Sequence, residues 1–211
     1  MPKDCAKNIK LSILIPAYNV EKYIEECLNS VNLQITDDCE VILYDDSSTD
    51  ETLSLIEKHP ITENKNFKLI KGDVNKGLSY ARNTLKSLSS GDYIWFLDSD
   101  DIILNGSVEK IFFTFNSHDV DMILFNCLRW FELLSTDGTP IGYEVKTYHK
   151  PAGYYSTDSA SIFCDILKNG NLHVPLKIFH KNLFIEGTEF PVGRIFEDIN
   201  ITPLLASLSK K

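Results

Sequence analysis

Three carboxylates stand in four consecutive positions, Asp98-Ser99-Asp100-Asp101, directly after the apolar run Tyr93-Ile94-Trp95-Phe96-Leu97. Carboxylates crowded beside an apolar core repel one another and lose hydration, which is costly without a cation. A hard divalent ion such as Mg²⁺ or Mn²⁺ removes that cost and keeps coordination places for phosphate oxygens. The plain alternative is a solvated turn that caps the next helix. A second acidic pair, Asp45-Asp46, ends the run Glu40-Val41-Ile42-Leu43-Tyr44. Its continuation, Ser47-Ser48-Thr49-Asp50, has the composition of a turn and helix cap. Asp46 is expected to face a cleft, where a carboxylate can accept a hydrogen bond from a nucleobase N–H. Tyr18 offers either an ordinary half-buried ring or a face on which a base can stack. Arg82 is either a solvated helix charge or a two-pronged donor to a diphosphate. Glu197-Asp198 follows Gly193-Arg194-Ile195-Phe196 at the expected start of a helix. Acids suit helix N-termini for the dipole alone, and the chemical alternative makes one of them a general base.

The elements that must position these groups alternate. Leu11–Ile15 reads as a buried strand stopped by Pro16, with Asn19 as the cap of a helix over Glu21–Val31. Glu40–Tyr44 is a second strand, followed by a helix around Leu53 and Ile56. Phe67–Ile70 is a third strand and Gly77–Leu88 a third helix, closed near Gly91. Tyr93–Leu97 is a fourth strand, Ser107 is expected to cap the next helix, and Met122–Phe125 is a fifth strand. Nearly continuous apolar strands alternating with helices imply an α/β fold, a mostly parallel sheet covered on both faces. Ligands bind such sheets beyond the carboxyl ends of the strands. Pro16-Ala17-Tyr18-Asn19, Asp45-Asp46 and Asp98-Ser99-Asp100 all fall there. After residue 127 the texture changes. Leu128–Lys150 reads as a β-hairpin or long loop turning at Asp137-Gly138, Tyr154–Leu167 as a helix, and Glu197–Leu208 as a final helix.

The chain has 211 residues, 43% of them hydrophobic, enough for one core of ordinary size. A net charge of -9 argues against general nucleic-acid binding, which needs a surplus of Lys and Arg. The five cysteines, Cys5, Cys27, Cys39, Cys127 and Cys164, show no paired spacing, so reduced thiols in a cytoplasmic compartment are expected. The opening MPKDCAKNIK lacks the apolar segment of a signal peptide. No apolar run approaches the ~20 residues needed to span a bilayer, so any membrane contact is expected to be peripheral, at the inner face. There is no GxGxxG, P-loop or GxSxG motif, and the five histidines lack metal-ligand spacing.

Taken together, SILIPAYNVEKYIEECLNSV, VILYDDSSTDETL, NKGLSYARNTLKSLSSGDYIWFLDSDD and KIFHKNLF with GRIFEDI resemble family 2 glycosyltransferases of the GT-A fold, the bacterial type that builds surface polysaccharide. The four stretches run from residue 12 to residue 199 in the family's order. The resemblance implies a Rossmann-like, mostly parallel sheet sandwiched by helices, with a smaller acceptor-side part made of a β-hairpin and helices. It implies one domain over 1–211, with a nucleotide-binding part over about 9–127 and an acceptor and catalytic part over about 128–211. It places Pro16, Ala17, Tyr18, Asn19, Asp46, Gly77, Arg82, Asp98 and Ser99 around a nucleotide-sugar, with Asp46 at the uracil edge and Arg82 near the nucleotide or its phosphates. Asp98-Ser99-Asp100 resembles the family's DxD motif, in which Asp100 would ligate Mn²⁺ or Mg²⁺ and Asp98 would contact ribose or assist the metal. Glu197-Asp198 resembles the ED motif, with Asp198 as the base. The implied reaction is inverting transfer from a UDP-sugar to a glycan or lipid-linked glycan. Members of the family usually continue well past this last helix, whereas this sequence stops about a dozen residues on; a truncated acceptor part is therefore expected.

Three other readings remain in view. A nucleotidyltransferase would need a Gly-rich loop in place of Pro16-Ala17-Tyr18-Asn19. A phospho-acceptor receiver domain would end its first strand in paired acids. A nucleotide-sugar-binding module without activity could share the same fold. Tyr143, Tyr148, Tyr154 and Tyr155 could stack on acceptor sugars or serve the core and hairpin, and the role of Lys177 is open.

Overall fold

The computed structural model describes residues 9–134, 140–145, 153–168 and 172–210. The first half alternates as the sequence predicts: β1 (Leu11–Ala17), α1 (Ile24–Asn32), β2 (Cys39–Asp45), α2 (Thr52–Lys58), β3 (Phe67–Lys71), α3 (Leu78–Leu88) and β4 (Tyr93–Phe96). It continues with α4 (Ser107–Ser117), β5 (Met122–Leu124), β6 (Cys127–Leu134), β7 (Pro140–Val145), α5 (Ser159–Lys168), β8 (Lys177–His180) and α6 (Glu197–Leu208).

The main sheet has the order β3-β2-β1-β4-β8-β5. Strands β3, β2, β1 and β4 are parallel, and β8 pairs antiparallel with both β4 and β5. Alternate residues of β1 face opposite sides, as the pleat requires. Leu11, Ile13 and Ile15 pack with Ile24, Cys27, Leu28 and Val31 of α1, Ile56 of α2 and Val108 and Ile111 of α4. Leu14 joins Ile42, Phe96, Ala81 and Leu85 of α3, Ile162 and Ile166 of α5, and Ile201 and Leu205 of α6 on the other face. Each fully buried Leu or Ile stabilises the fold by about 1.5–3 kcal/mol of transfer free energy. The sheet is thus covered on both faces, and its loops gather at the carboxyl ends of β1, β2 and β4. Among the described residues no helix is long and apolar enough to cross a membrane.

Several boundaries differ from expectation. Pro16 does not stop β1, which runs on to Ala17. Leu14 O accepts from Leu97 N on the β4 side, and Pro16, two residues on, faces the same edge beyond the last β4 pairing. Its missing N–H therefore costs no ladder bond. Asn19 caps no helix: it has φ 51, and α1 begins only at Ile24. Ser107 is the first residue of α4, with Gly106 in the cap position at φ 78. The helix expected from Tyr154 starts at Ser159, because Asp158 Oδ1 accepts from Ser161 N–H. Strand β8 has no counterpart among the expected elements. The hairpin is present as β6 and β7, paired from Cys127–Val145 to Leu134–Pro140; its expected turn at Asp137-Gly138 and Tyr148 lie outside the described residues. Tyr154 and Tyr155 are exposed, and the Tyr155 ring stacks on His118.

Candidate functional site

Two loops form the first wall of the site. Asp46 N–H donates to Ala17 O at 2.8 Å, joining the ends of β1 and β2. Asn19 N–H donates to Ser48 Oγ at 3.0 Å, and Asn19 Oδ1 accepts from Thr49 N–H at 2.8 Å. The left-handed backbone of Asn19 and of Ser47 lets both loops turn sharply against each other. Pro16 and Ala17 are buried in this junction, and Tyr18 stands out from it, 44% exposed.

Asp46 is buried, and its carboxylate holds the start of α3. Its Oδ2 accepts from Gly77 N–H at 2.7 Å, and its oxygens share the Lys76 N–H at 2.9 and 3.1 Å. Gly77 sits at φ 87, a left-handed backbone that glycine adopts without steric penalty. An anion at a helix N-terminus is favourable, and these amides would otherwise lack partners. Arg82 is the fifth residue of α3, about 7–8 Å further along the axis. One helix therefore ties the Asp46 end of the site to its acidic end.

Arg82 is 1% exposed and organises that acidic end. Its Nη1 donates to Glu197 Oε1 at 2.7 Å and to Asp198 Oδ1 at 2.8 Å, and its Nη2 donates to Asp98 Oδ1 at 2.8 Å. Burial alone would lower the guanidinium, but the charges of Asp98 and Asp198 outweigh it and hold Arg82 above its ordinary value. Its Nε is buried without a partner among the described residues, and the Phe190 ring packs 5.5 Å from the guanidinium carbon. Two acids from the start of α6 and one from the end of β4 thus share a single cation. From the sequence each acid stands separately, and Arg82 is either a solvated helix charge or a donor to the nucleotide's phosphates; no local pattern records the sharing.

Asp198 Oδ2 accepts from Val174 N–H at 3.3 Å, and His173 Nδ1 stands 4.0 Å away. Burial raises Asp198 above its ordinary value, against the opposing pull of Arg82 and the Val174 amide. Val174, His173 and Lys177 are site neighbours that motif spacing missed; only the KIFHK stretch pointed toward them. Phe196, just before Glu197, is 68% exposed and held at φ 58, uncommon for an aromatic residue.

Ser99 is buried and Asp100 is exposed. Asp98 Oδ2 and both oxygens of Asp100 carry no hydrogen bond among the described residues. Asp101 is pushed up to about 6 by burial of its carboxyl and by the charges of Asp98 and Asp100. The residue keeps solvent contact, so the like charges are the firmer cause. Among the described residues no three His, Cys, Asp or Glu side chains gather as a ready-made metal cluster.

A mostly parallel sheet with acidic loops at the carboxyl ends of its strands is the architecture of GT-A glycosyltransferases. The sequence profile described as Glycosyl transferase family 2 matches residues 12–173, and the chain belongs to that family. Glycosyltransferase GlyA of Streptococcus pneumoniae is 28% identical over 213 residues, covering 96% of this chain and 29% of GlyA. Chondroitin synthase of Escherichia coli is 42% identical over 99 residues, covering 47% of this chain and 14% of that enzyme. The crystal structure of Staphylococcus aureus TarS 1-349 in complex with UDP-GlcNAc superposes with a TM-score of 0.72 at 26% identity, covering 96% of this chain and 54% of that one. This chain therefore spans less than two thirds of each of these relatives.

Proposed function

We propose that this chain carries the donor site and base of an inverting glycosyltransferase that moves a sugar from a UDP-sugar to a glycan or lipid-linked glycan acceptor in surface-polysaccharide synthesis. The observation that carries this reading is the shared Arg82, which joins Asp98 of the DxD-like loop to Asp198 of the ED-like helix. A donor-side acid and a candidate base from distant parts of the sequence are thereby held in one constellation. The structural likeness to TarS bound to UDP-GlcNAc supports a UDP-sugar as donor. In this reading residues 9–127 bind the nucleotide and residues 128–211 contribute the acceptor side.

Pro16, Ala17, Tyr18, Asn19 and Asp46 receive the uridine. Tyr18 supplies a stacking face, and Asp46 offers the acceptor capacity that its two amide partners leave over. Gly77 and Ser99 border the same space. Asp198 takes the proton of the acceptor hydroxyl, and Arg82 keeps its carboxylate oriented while Glu197 balances the guanidinium. Asp98 and Asp100 fit Mn²⁺ or Mg²⁺: Asp98 Oδ1 is taken by Arg82, but its Oδ2 and both oxygens of Asp100 present hard donors without hydrogen bonds among the described residues, and two carboxylates plus phosphate oxygens are an ordinary set for such ions. When bound there, the ion neutralises negative charge on the leaving diphosphate.

The test is UDP release from UDP-GlcNAc and other UDP-sugars with Mn²⁺, paired with thermal shift. Asp198→Asn is expected to keep the donor-induced rise in melting temperature and to lose turnover by about 10²–10⁴-fold. Asp100→Ala is expected to lose the Mn²⁺-dependent part of the rise. Unchanged turnover in Asp198→Asn would overturn the assignment of the base.

A further inference from the structure

Lys177 opens β8 with a fully buried side chain, and the proposed reaction gives it no task. Burial drives its ammonium down to about 7, with Asp198 opposing the fall. An apolar side chain would fill the same volume without that desolvation, so an ammonium in this place draws attention to what it holds. Its Nζ donates to His173 O at 2.8 Å. That carbonyl leads into the single 3₁₀ turn Val174–Leu176, and Val174 N–H donates to Asp198 Oδ2. Trp95 fastens the same turn from the sheet, with Nε1–H donating to Pro175 O at 2.9 Å. Asp198 is therefore held on one oxygen by Arg82 and on the other by a turn that Lys177 and Trp95 pin in place.

Resting on the reading of Asp198 as the base, we infer that Lys177 is a positioning residue: it fixes the 173–176 turn so that the Val174 amide orients Asp198. Its positive charge also acts on the same carboxylate. It does not touch donor or acceptor. Its loss therefore acts on the reacting geometry and not on donor affinity.

The test compares wild type, Lys177→Met and Lys177→Arg in the intact chain. Two measurements are made: steady-state UDP release from UDP-GlcNAc with Mn²⁺, and hydrogen exchange of the Val174 amide. Lys177→Met is expected to lower kcat on the order of a hundredfold, the scale for a misplaced reacting group. Its donor KM should stay within about twofold. The Val174 amide should exchange faster while the amides of β1 remain protected. Lys177→Arg, which keeps a donor and a charge, should recover part of both kcat and protection. Unchanged Val174 protection in Lys177→Met, or a rise in donor KM with kcat intact, overturns the inference. If only the Arg variant folds, its Val174 protection decides: retained protection supports the pin, and loss despite a present donor overturns it. Should wild type release no UDP, the catalytic reading fails while the exchange measurement still decides whether Lys177 holds the turn.

Discussion

Replacing Arg82 with Met keeps most of the side-chain volume and removes the one cation shared by three carboxylates. Breaking a buried ion pair by deleting one partner typically costs about 3–5 kcal/mol, because the remaining charge stays buried without compensation. The Glu197 and Asp198 side chains are 12% and 17% exposed, so they bear that cost. Asp98, at 34%, is screened by solvent and adds little. A deficit of about 3–5 kcal/mol at pH 7 corresponds to a urea midpoint lower by roughly 1–2.5 M for an m-value of about 2–3 kcal/mol per M. The deficit depends on pH with a definite sign. Burial already raises Asp198 above its ordinary value of 3.8, and Arg82, ahead of the Val174 amide, restrains the rise. Without Arg82 the carboxyl is raised further. A raised carboxyl contributes stability below its unfolded value and loses it as pH climbs through the folded value. The variant is therefore weakest at neutral pH and recovers toward wild type as pH falls into the ordinary carboxylate range. Urea unfolding at pH 7 and pH 5, followed by far-UV circular dichroism, measures both the size and the slope. Equal midpoints for variant and wild type, or a deficit that grows on acidification, would refute the reasoning.

Asp46→Ala leaves the Lys76 and Gly77 amides without their carboxylate at the start of α3. It should destabilise by about 1–2 kcal/mol in thermal unfolding and abolish the melting-temperature rise with UDP. Gly91→Ala would place a Cβ 2.6 Å from Ser12 Oγ and 2.8 Å from the Ser12 backbone nitrogen. The backbone atom cannot swing aside, so a loss of about 1–3 kcal/mol is expected in urea unfolding.

The alternation of the first 127 residues was legible because parallel strands buried on both faces are short continuous apolar runs, and each helix shows one apolar stripe. What failed was local. Pro16 reads as a terminator by its lack of an N–H, yet at a position where the neighbouring strand has already ended that lack is harmless. Asn19 and Ser107 have the right chemistry for caps and the wrong place. Asn19 spends its side chain on the Thr49 amide of a loop distant in sequence. Asp158 shows the reverse case: cap chemistry in the right place, standing just after the aromatic pair Tyr154-Tyr155 that also suits a helix. Strand β8 was hidden because Lys177–His180 is only four residues long and begins with a lysine, a residue ordinarily read as exposed.

The site was legible as a set of acids and illegible as a system. Asp98, Glu197 and Asp198 lie 16, 115 and 116 residues from Arg82 in sequence. No local pattern records that they meet. The resemblance to a family named the acids individually, as a metal-side motif and a base-side motif. The structure makes them dependent, because three negative groups draw on one guanidinium whose hydration has been removed. Charges arranged in this way cannot be given separate contributions, since neutralising one changes what the others receive from Arg82. The folding of α3 against the sheet is thus part of the chemistry. It carries the Asp46 anchor at its N-terminus and Arg82 on its second turn, and so sets the spacing between the nucleotide end and the acidic end before any ligand arrives.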